Sequence, residues 1–350
     1  MKTFATKTER FILLTVCIMF TVLAFAQESG TTNSYSTNKE KIFTGSVYLE
    51  TNYGNKHDEE NKDVWDFPHI VAEGKLNLGK NWYVAAEFEY ERIKEDCIWE
   101  NSFKNNFTTN KLYIAKQFCK GATIKLGIQE LPIGIVNRGG PALTIYDPKS
   151  ESAIIPMTWH EFGVGISGEI DSWGYNIVLP FYFDAPIKRS KPIGAATRIE
   201  NHGITDGLTL GAGGFWGTSS VGMSKFCQPE ETEYTDGIAI AAFDAEWTGY
   251  GIVASGSAIY STDNNARSAG IEGGFDIMSC FPALEGKASV IPFVRYDGIF
   301  IDNIINKVTV GINISPLKNL TLKAEWSSKH SCGSNTLRRT DIGIGYMLEF

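Results

Sequence analysis

Long apolar runs are missing from most of this chain. After residue 26, the 350-residue sequence contains no run of about 18 apolar residues, the length that a transmembrane helix needs. The mean hydropathy of −0.12 is typical of a soluble protein. A membrane-spanning barrel has a similar value, because half of each of its strands faces water. The sequence after residue 26 therefore excludes transmembrane helices but is compatible with a membrane-spanning barrel.

A basic surface and the motifs of common enzymes are also missing. The chain has 32 Lys and Arg against 40 Asp and Glu, which gives a net charge of −8. It therefore lacks the positive footprint of a protein that binds nucleic acid. The five histidines form no motif with a serine nucleophile, and Gly-x-Ser-x-Gly, His-Glu-x-x-His and phosphate-binding glycine loops are absent. We predict no enzyme and no nucleic-acid partner.

Cysteines are few and irregularly spaced. Six occur in the sequence; Cys17 lies in the amino-terminal apolar run, and the others stand at positions 97, 119, 227, 280 and 332. No Cys-x-x-Cys pair is present, so we predict no metal site, no redox motif and no cofactor. The odd number of remaining cysteines predicts at least one free thiol.

The amino terminus has the pattern of a secretory signal peptide. Three basic residues precede an apolar run over residues 11–25, and Ala24-Phe-Ala26 offers a small-x-small cleavage site. Residues 27–40 are polar and have no periodicity, which indicates a flexible lead-in. We therefore predict a signal peptide at 1–26, a lead-in at 27–40 and a barrel domain at 41–350.

The rest of the chain is a long series of alternating segments. Apolar and polar side chains alternate over stretches of roughly ten residues, the length of a strand that crosses a bilayer at a tilt. Glycine (35 residues) and aromatics (12 %) are abundant, as in proteins with many strands and tight turns. The alternation predicts about sixteen strands, at 41–51, 69–78, 82–92, 109–118, 122–130, 161–170, 174–183, 193–200, 207–217, 236–247, 250–260, 268–277, 288–297, 306–315, 320–328 and 340–350.

The polar faces of several predicted strands carry charges that suit a water-filled lumen. Glu87, Glu89 and Glu91 lie on one face of strand 82–92. A packed soluble core would not accept three carboxylates in a row, whereas a wet lumen wall would. The other charged residues that we place on the lumen wall are Lys125, Lys323 and Glu325.

The predicted connections fall into two classes. Links from even to odd strands are mostly short turns. Links from odd to even strands are long, at 52–68, 93–108, 131–160, 184–192, 218–235, 261–267, 298–305 and 329–339. Outer-membrane barrels have short periplasmic turns at one rim and long extracellular loops at the other. The sorting of loops therefore predicts a transmembrane antiparallel β-barrel.

The last ten residues alternate without interruption. Apolar side chains from Ile342 to Phe350 lie on one face of the predicted strand, and small or polar ones lie on the other. The segment resembles the carboxy-terminal signal of bacterial outer-membrane barrels. The residues that carry this expected assembly signal are Gly343, Tyr346, Leu348 and Phe350.

Two blocks in the middle of the chain carry a more specific resemblance. Residues 127–134 read Gly-Ile-Gln-Glu-Leu-Pro-Ile-Gly, and residues 155–168 contain Pro-Met-Thr-Trp-His-Glu-Phe-Gly-Val-Gly. They resemble a strand, long loop and strand of the phosphate-selective porin O and P family. This resemblance implies a sixteen-stranded barrel, commonly trimeric, with inward-folded loops and anion-selecting basic residues. The chain departs from the family in lacking a dense run of lumen-facing Arg or Lys, so we do not carry over phosphate selectivity.

The long loop 131–160 is the predicted constriction. It contains four prolines, and we expect it to fold inward with Arg138, Asp147, Lys149 and Glu151 near the narrowest point. An external loop covered with solvated charges is the alternative. Arg198 lies after the basic run at 188–191, which either steers anions or contacts lipopolysaccharide.

The predicted function is that of an outer-membrane porin, a water-filled channel for small hydrophilic solutes or ions. An acidic wall would favour cations or neutral solutes. The alternative is a structural or adhesive barrel without an open pore. The expected partners are outer-membrane lipid, lipopolysaccharide and the barrel-assembly machinery, and the family resemblance implies two further copies of the chain in a homotrimer.

Overall fold

A computed structural model defines the fold from residue 41 onward. It describes residues 41–58, 63–95, 98–99, 106–135, 137, 143–146, 148–155, 159–181, 193–218, 237–281, 287–301, 304–333 and 335–350. The predicted signal peptide and lead-in lie outside these residues, as do Arg138, Asp147 and the basic run at 188–191. No helix in the described part is long and apolar enough to cross a membrane.

The described residues form seventeen strands and little else. The strands are β1 (Phe43–Lys56), β2 (Asp63–Gly79), β3 (Trp82–Glu95), β4 (Ile98–Trp99), β5 (Phe107–Cys119), β6 (Ala122–Glu130), β7 (His160–Ile170), β8 (Trp173–Pro180), β9 (Ile193–Asn201), β10 (Leu208–Thr218), β11 (Ile238–Gly249), β12 (Ile252–Ser261), β13 (Arg267–Phe275), β14 (Ser289–Phe300), β15 (Ile304–Leu317), β16 (Leu320–Ser331) and β17 (Leu337–Glu349). One short helix, α1 (Lys149–Ser152), and two 3₁₀ turns, Asp263–Asn265 and Ile277–Cys280, lie in the links.

The sheet closes on itself. Each long strand pairs with its neighbour in the chain, and β1 pairs antiparallel with β17 from Ser46 opposite Glu349 to Lys56 opposite Arg339. The two-residue β4 only extends the hairpin of β3. The barrel therefore has sixteen long antiparallel strands, which confirms the predicted fold class and strand number.

Alternation sorts the side chains between the two faces of the wall. In β17, Ile342 is 52 % exposed and Ile344 is 43 % exposed, whereas Asp341 between β1 and β16 is 1 % exposed. The exposed residues of the strands are mostly large and apolar, and they cover the outside of the barrel. The polar and small side chains therefore lie on the inner face, where they are largely hidden by each other and by an inward loop.

The predicted sorting into short and long links holds for most of the links. Five of the links that were predicted to be short are two-residue turns, at 80–81, 120–121, 171–172, 250–251 and 318–319. Lys80 and Asn81 both have positive φ, as a type I′ hairpin turn requires. The link 276–288 is long, however, and the link 301–303 at the opposite rim is short because β14 and β15 extend beyond their predicted ends.

The start of β2 differs from the prediction. The predicted strand at 69–78 begins directly after Pro68, a residue that cannot donate to a strand ladder. The strand begins at Asp63, and the register shifts between Asp66 and His69. Asp66 lies opposite Ile93 and His69 opposite Glu91, so three residue steps on β2 match two on β3. A β-bulge at Phe67 and Pro68 accommodates the proline.

The described cysteines are free thiols. Cys119, Cys280 and Cys332 are exposed and make no disulfide. This agrees with the expectation of at least one free thiol.

Gly127 marks a point where β5 and β6 approach unusually closely. Its φ is +138°, a conformation that L side chains rarely adopt. A Cβ atom at this position would lie 2.3 Å from the carbonyl oxygen of Leu112 and 2.7 Å from the Cα of Tyr113. Both obstacles are backbone atoms of the paired strand, so a side chain can be accommodated only if the strands separate.

Substitution Gly127→Ala is therefore expected to lower the free energy of unfolding by roughly 1–3 kcal/mol. Gly273 in β13 has nothing within 4 Å of the corresponding Cβ position, so Gly273→Ala is the matched control and should change stability by less than about 0.5 kcal/mol. Urea titration of the detergent-solubilised protein measures both. Equal stability of the two variants would contradict the close approach at Gly127.

Candidate functional site

The inside of the barrel carries more acidic than basic side chains. Among the described residues, the buried charged side chains include eight carboxylates and two arginines, Arg198 and Arg295. The carboxylates are Asp66, Glu151, Glu161, Asp244, Glu272, Asp297, Glu325 and Asp341. Buried charges require partners, and the partners of these groups define the candidate site.

Both ends of the loop between β6 and β7 are fixed by an apolar cluster on the inner wall. The loop contributes Leu131, Ile133, Ile154, Ile155 and Trp159, and the wall contributes residues that include Val178, Phe215, Ile240 and Ile259. The rings of Trp159 and Phe215 lie 4.8 Å apart between centroids. Each fully buried large apolar side chain contributes about 1.5–3 kcal/mol, so this cluster holds the loop firmly inside the barrel.

The middle of the loop is hydrogen bonded to carboxylates on the inner wall. The backbone N–H of Leu143 donates to Glu272 (3.1 Å), and that of Ile145 donates to Glu325 (2.8 Å). Ser150 donates to Asp297 through its backbone N–H (3.1 Å) and its hydroxyl (2.7 Å). These bonds satisfy the backbone amides of buried Leu143 and Ser150 and of half-buried Ile145, and charged acceptors make them stronger than neutral ones.

The wall also donates to the loop. Asn313 Nδ2 donates to the carbonyl of Leu143 (2.9 Å), and Lys323 Nζ donates to the carbonyl of Thr144 (2.9 Å). Together with the bonds to carboxylates, these contacts engage strands β13 to β16. The described loop residues from 143 to 146 are therefore bound through their backbone on both donor and acceptor sides.

The loop crosses the inside of the barrel. It leaves the wall at the end of β6, and Ser150 binds Asp297 on β14. In the order of the closed sheet, β14 is eight strands from β6, which is half of the circuit of sixteen long strands. The segment that binds β13 to β16 is therefore on the far side of the barrel from the point where the loop begins.

Two of the predicted constriction residues lie in α1. Glu151 is buried, and its carboxylate accepts a hydrogen bond from the backbone N–H of Ile135 (3.0 Å). Glu151 therefore links α1 to the start of the same loop. Lys149 is half-buried in the first turn of the same helix. Arg138 and Asp147, predicted beside them, lie outside the described residues.

Three arginines of the wall are each paired with an acidic residue two positions further along the same strand. Arg198 contacts Glu200, Arg295 Nε lies 3.0 Å from Asp297, and Arg339 contacts Asp341. Arg198 also makes two bonds to Asp244, of 2.6 and 2.7 Å, and Arg295 Nη1 lies 3.5 Å from Glu272. Residues i and i+2 share one face of a strand, so each pair is built into its strand. We call these pairs the arginine clamps.

The predicted glutamates on β3 are also paired. Glu87 accepts from Lys111 Nζ (2.7 Å), while Glu89 contacts His69 Nε2 (2.8 Å) and Asn110 Nδ2 (2.8 Å). Lys125 on β6 lies over the ring of Tyr113, 5.4 Å from its centroid. These residues form a polar band over β2 to β6.

The predicted residues thus fall into separate groups. Lys323 and Glu325 bind the inward loop. Glu87, Glu89 and Lys125 belong to the band over β2 to β6, and Arg198 lies in its own clamp.

In the loop itself, the ring of Tyr146 lies 4.4 Å from the Arg339 guanidinium. Burial raises the pKa of Tyr146 above its ordinary value, so this phenol stays neutral.

The sequence prediction missed Glu272, Arg295, Asp297 and Arg339. A signal for three of them was present, because Arg295-x-Asp297 and Arg339-x-Asp341 place opposite charges on one face of a strand. Glu272 was missed because its partners lie on other strands or in the loop.

The fold is similar to that of several outer-membrane proteins of known structure. OprB of Pseudomonas putida superposes with a TM-score of 0.61 at 8 % identity, covering 87 % of this chain and 94 % of that one. The trimer form of OmpT, an outer membrane protein of Vibrio cholerae, gives 0.58 at 11 % identity, covering 87 % and 99 %. An anion-selective porin from Comamonas acidovorans gives 0.55 at 12 % identity, covering 88 % and 98 %. At these identities the similarity concerns the fold.

Comparison with known sequences gives little information beyond the similarity of fold. An uncharacterised protein of Aquifex aeolicus is 24 % identical over 188 residues, which is 48 % of this chain and 42 % of that protein. The chain thus matches less than half of the length of this relative. No protein-family model matches the chain.

The bond between Glu325 and the backbone N–H of Ile145 gives a test of the docked loop. Substitution Glu325→Ala should accelerate hydrogen exchange over residues 143–146 by about tenfold, since losing a bond to a charged acceptor costs about 1.5 kcal/mol. Glu87→Ala is the matched control, because Glu87 binds Lys111 and not the loop. Exchange that is equally fast in the wild-type protein and both variants would show that this bond does not hold the loop.

Proposed function

We propose that this chain is an outer-membrane porin, a channel for passive diffusion of small hydrophilic solutes or ions. The closed barrel of sixteen long strands supports this, because a barrel of that size encloses space that side chains alone do not fill. An apolar outside and a polar inside are the surfaces that such a protein needs. The comparisons with outer-membrane proteins point to the same class through the fold.

The inward loop is the constriction of the proposed channel. The observation that carries this is the set of hydrogen bonds from the loop backbone to Glu272, Asp297 and Glu325 on the far wall. A loop that crosses from β6 to β14 narrows any path along the barrel. The path then runs beside the loop, where the band over β2 to β6 carries Glu87, Glu89 and Lys125. Lys149, Lys323 and Glu325 border it on the loop side, with Arg138 and Asp147 as further candidates from the sequence.

The charge balance favours cations or neutral solutes. Charges that line a pore set its ion preference. The arginine clamps neutralise Arg198, Arg295 and Arg339 by direct contact with carboxylates. The remaining excess of carboxylates gives the wall a negative character. Membership of the phosphate-selective porin O and P family stays a prediction, and the paired arginines argue against anion selection of the kind named for the Comamonas porin.

The proposed location requires export and assembly. Residues 1–26 would direct secretion, and the terminal strand with Gly343, Tyr346, Leu348 and Phe350 would be the signal for the barrel-assembly machinery. The short turns, beside which Trp82, Trp173 and Tyr250 are exposed, would face the periplasm. Lipid and lipopolysaccharide would cover the outside. A homotrimer is the assembly expected from the family resemblance, and the trimer form of the Vibrio cholerae protein has the same fold.

The proposed channel predicts a measurable current. In planar bilayers, the purified protein should give stepwise conductance, and the reversal potential in a salt gradient should indicate a preference for cations. Glu87→Gln should shift the preference toward anions because it removes the nearer of the two carboxylates that contact Lys111, at 2.7 Å against 3.8 Å for Glu130. Glu349→Gln is the control, since Glu349 is exposed at the rim beside Lys318. Strong anion selectivity of the wild-type protein would contradict the charge argument. Absence of current would favour a structural or adhesive barrel.

The constriction predicts the effect of shortening the loop. Deletion of residues 143–152 removes the segment that contacts β13 to β16 and should raise single-channel conductance. The apolar cluster at 131–133 and 154–159 is retained in this variant, so the loop ends stay docked. Heat-dependent migration in gels checks that the barrel is folded. Conductance equal to that of the wild-type protein would show that the segment does not narrow the path.

A further inference from the structure

A cluster of metal-binding side chains lies on the inner wall where β2 begins. Asp66, His69 and Glu91 each present one donor atom, and these atoms all lie within 4.8 Å of one another. Glu50 adds a fourth group, with its carboxylate 3.8 Å from His69 Nδ1. The cluster shares no residue with the inward loop or with the arginine clamps.

The β-bulge of β2 assembles the cluster. In a regular strand, Asp66 and His69 would point to opposite faces, because residues three apart alternate. The extra residue in the bulge brings both to the face that carries Glu91, which lies directly opposite His69 on β3. Bulges frequently redirect a side chain into a functional site.

A contact with Glu89 fixes the orientation of the His69 imidazole. Its Nε2 lies 2.8 Å from the carboxylate of Glu89, which is itself held by Asn110 Nδ2 at 2.8 Å. A carboxylate only accepts, so Nε2 carries the proton and Nδ1 faces Asp66 at 3.4 Å. Nδ1 is buried and makes no hydrogen bond. A histidine that binds a metal through one nitrogen typically donates its other N–H to a carboxylate in this way.

Asp66 provides a second, independent indication. It is only 2 % exposed, and Asn52 Nδ2 donates to its Oδ2 at 3.0 Å. The other oxygen, Oδ1, is buried and has no hydrogen-bond partner. An unsatisfied buried carboxylate oxygen is costly, and a bound cation would satisfy it.

We propose that Asp66, His69 and Glu91 bind one divalent transition-metal ion of the Zn²⁺ class. An imidazole nitrogen combined with carboxylate oxygens suits Zn²⁺ and its neighbours in the first transition series, whereas Mg²⁺ and Ca²⁺ prefer oxygen donors alone. The ion joins β2 to β3 across the bulge and lowers the negative charge of the wall. Glu89 is a positioning residue, which acts through His69.

The test is titration of the purified, folded protein in detergent with ZnCl₂ and, separately, with MgCl₂ by calorimetry. The wild-type protein should bind one Zn²⁺ per chain and bind Mg²⁺ far more weakly. His69→Gln should abolish Zn²⁺ binding, and Glu89→Gln should weaken it by about 10- to 100-fold, the usual effect of losing an outer partner of a ligand. His57→Gln should bind as the wild-type protein does, because His57 is an exposed histidine that contacts Thr340.

Three outcomes would overturn the proposal: no Zn²⁺ binding by the wild-type protein, equal affinity for Mg²⁺, or unchanged binding by the His69→Gln variant. The first is expected if His69 is instead a protonated bridge between carboxylates. Should His69→Gln fail to fold, the Glu89→Gln variant, which keeps every proposed ligand, decides the matter. Binding is measured without reference to ion conduction, so this result is independent of the proposed channel.

Discussion

The pairing of β1 with β17 is the constraint on which the rest of the structure depends. Without it, each of these strands would leave a row of unpaired backbone N–H and C=O groups, and no apolar surroundings could supply partners. Pairing along the register from Ser46 opposite Glu349 to Lys56 opposite Arg339 removes both edges. Closure then fixes which face is inside for every strand, because a one-residue slip would exchange the two faces.

Closure of so many strands creates an interior that the wall alone cannot fill, and the inward loop occupies part of it. The loop brings its own unsatisfied backbone amides into this interior. Glu272, Asp297 and Glu325 accept hydrogen bonds from them. The same carboxylates are therefore structural acceptors and contributors to the electrostatic potential of the lumen. Removing one alters both the position of the loop and the charge of the wall, so the two effects have to be separated with controls that do not touch the loop.

Strand positions were predictable because the pattern that specifies them is local. Alternation with a period of two placed sixteen strands close to their observed bounds, and it failed at Pro68, where a bulge carries the strand through the proline. The contacts between the inward loop and the wall could not be predicted from the sequence in this way. Ile145 and Glu325 are 180 positions apart, and nothing near either residue indicates the other.

The arginine clamps could be predicted from the sequence only in part. They determine how the charges of the inner wall should be counted. Arg295 and Asp297 share a strand face by periodicity alone, so the sequence indicates that this arginine brings its own counter-charge. A second carboxylate from another strand, Glu272 for Arg295 or Asp244 for Arg198, then makes the group negative as a whole. Basic residues of the wall are thus no measure of anion preference here. The electrostatic potential of the lumen depends on whether each basic residue contacts one carboxylate or two. The second contact comes from another strand, so it can be identified only in the closed sheet.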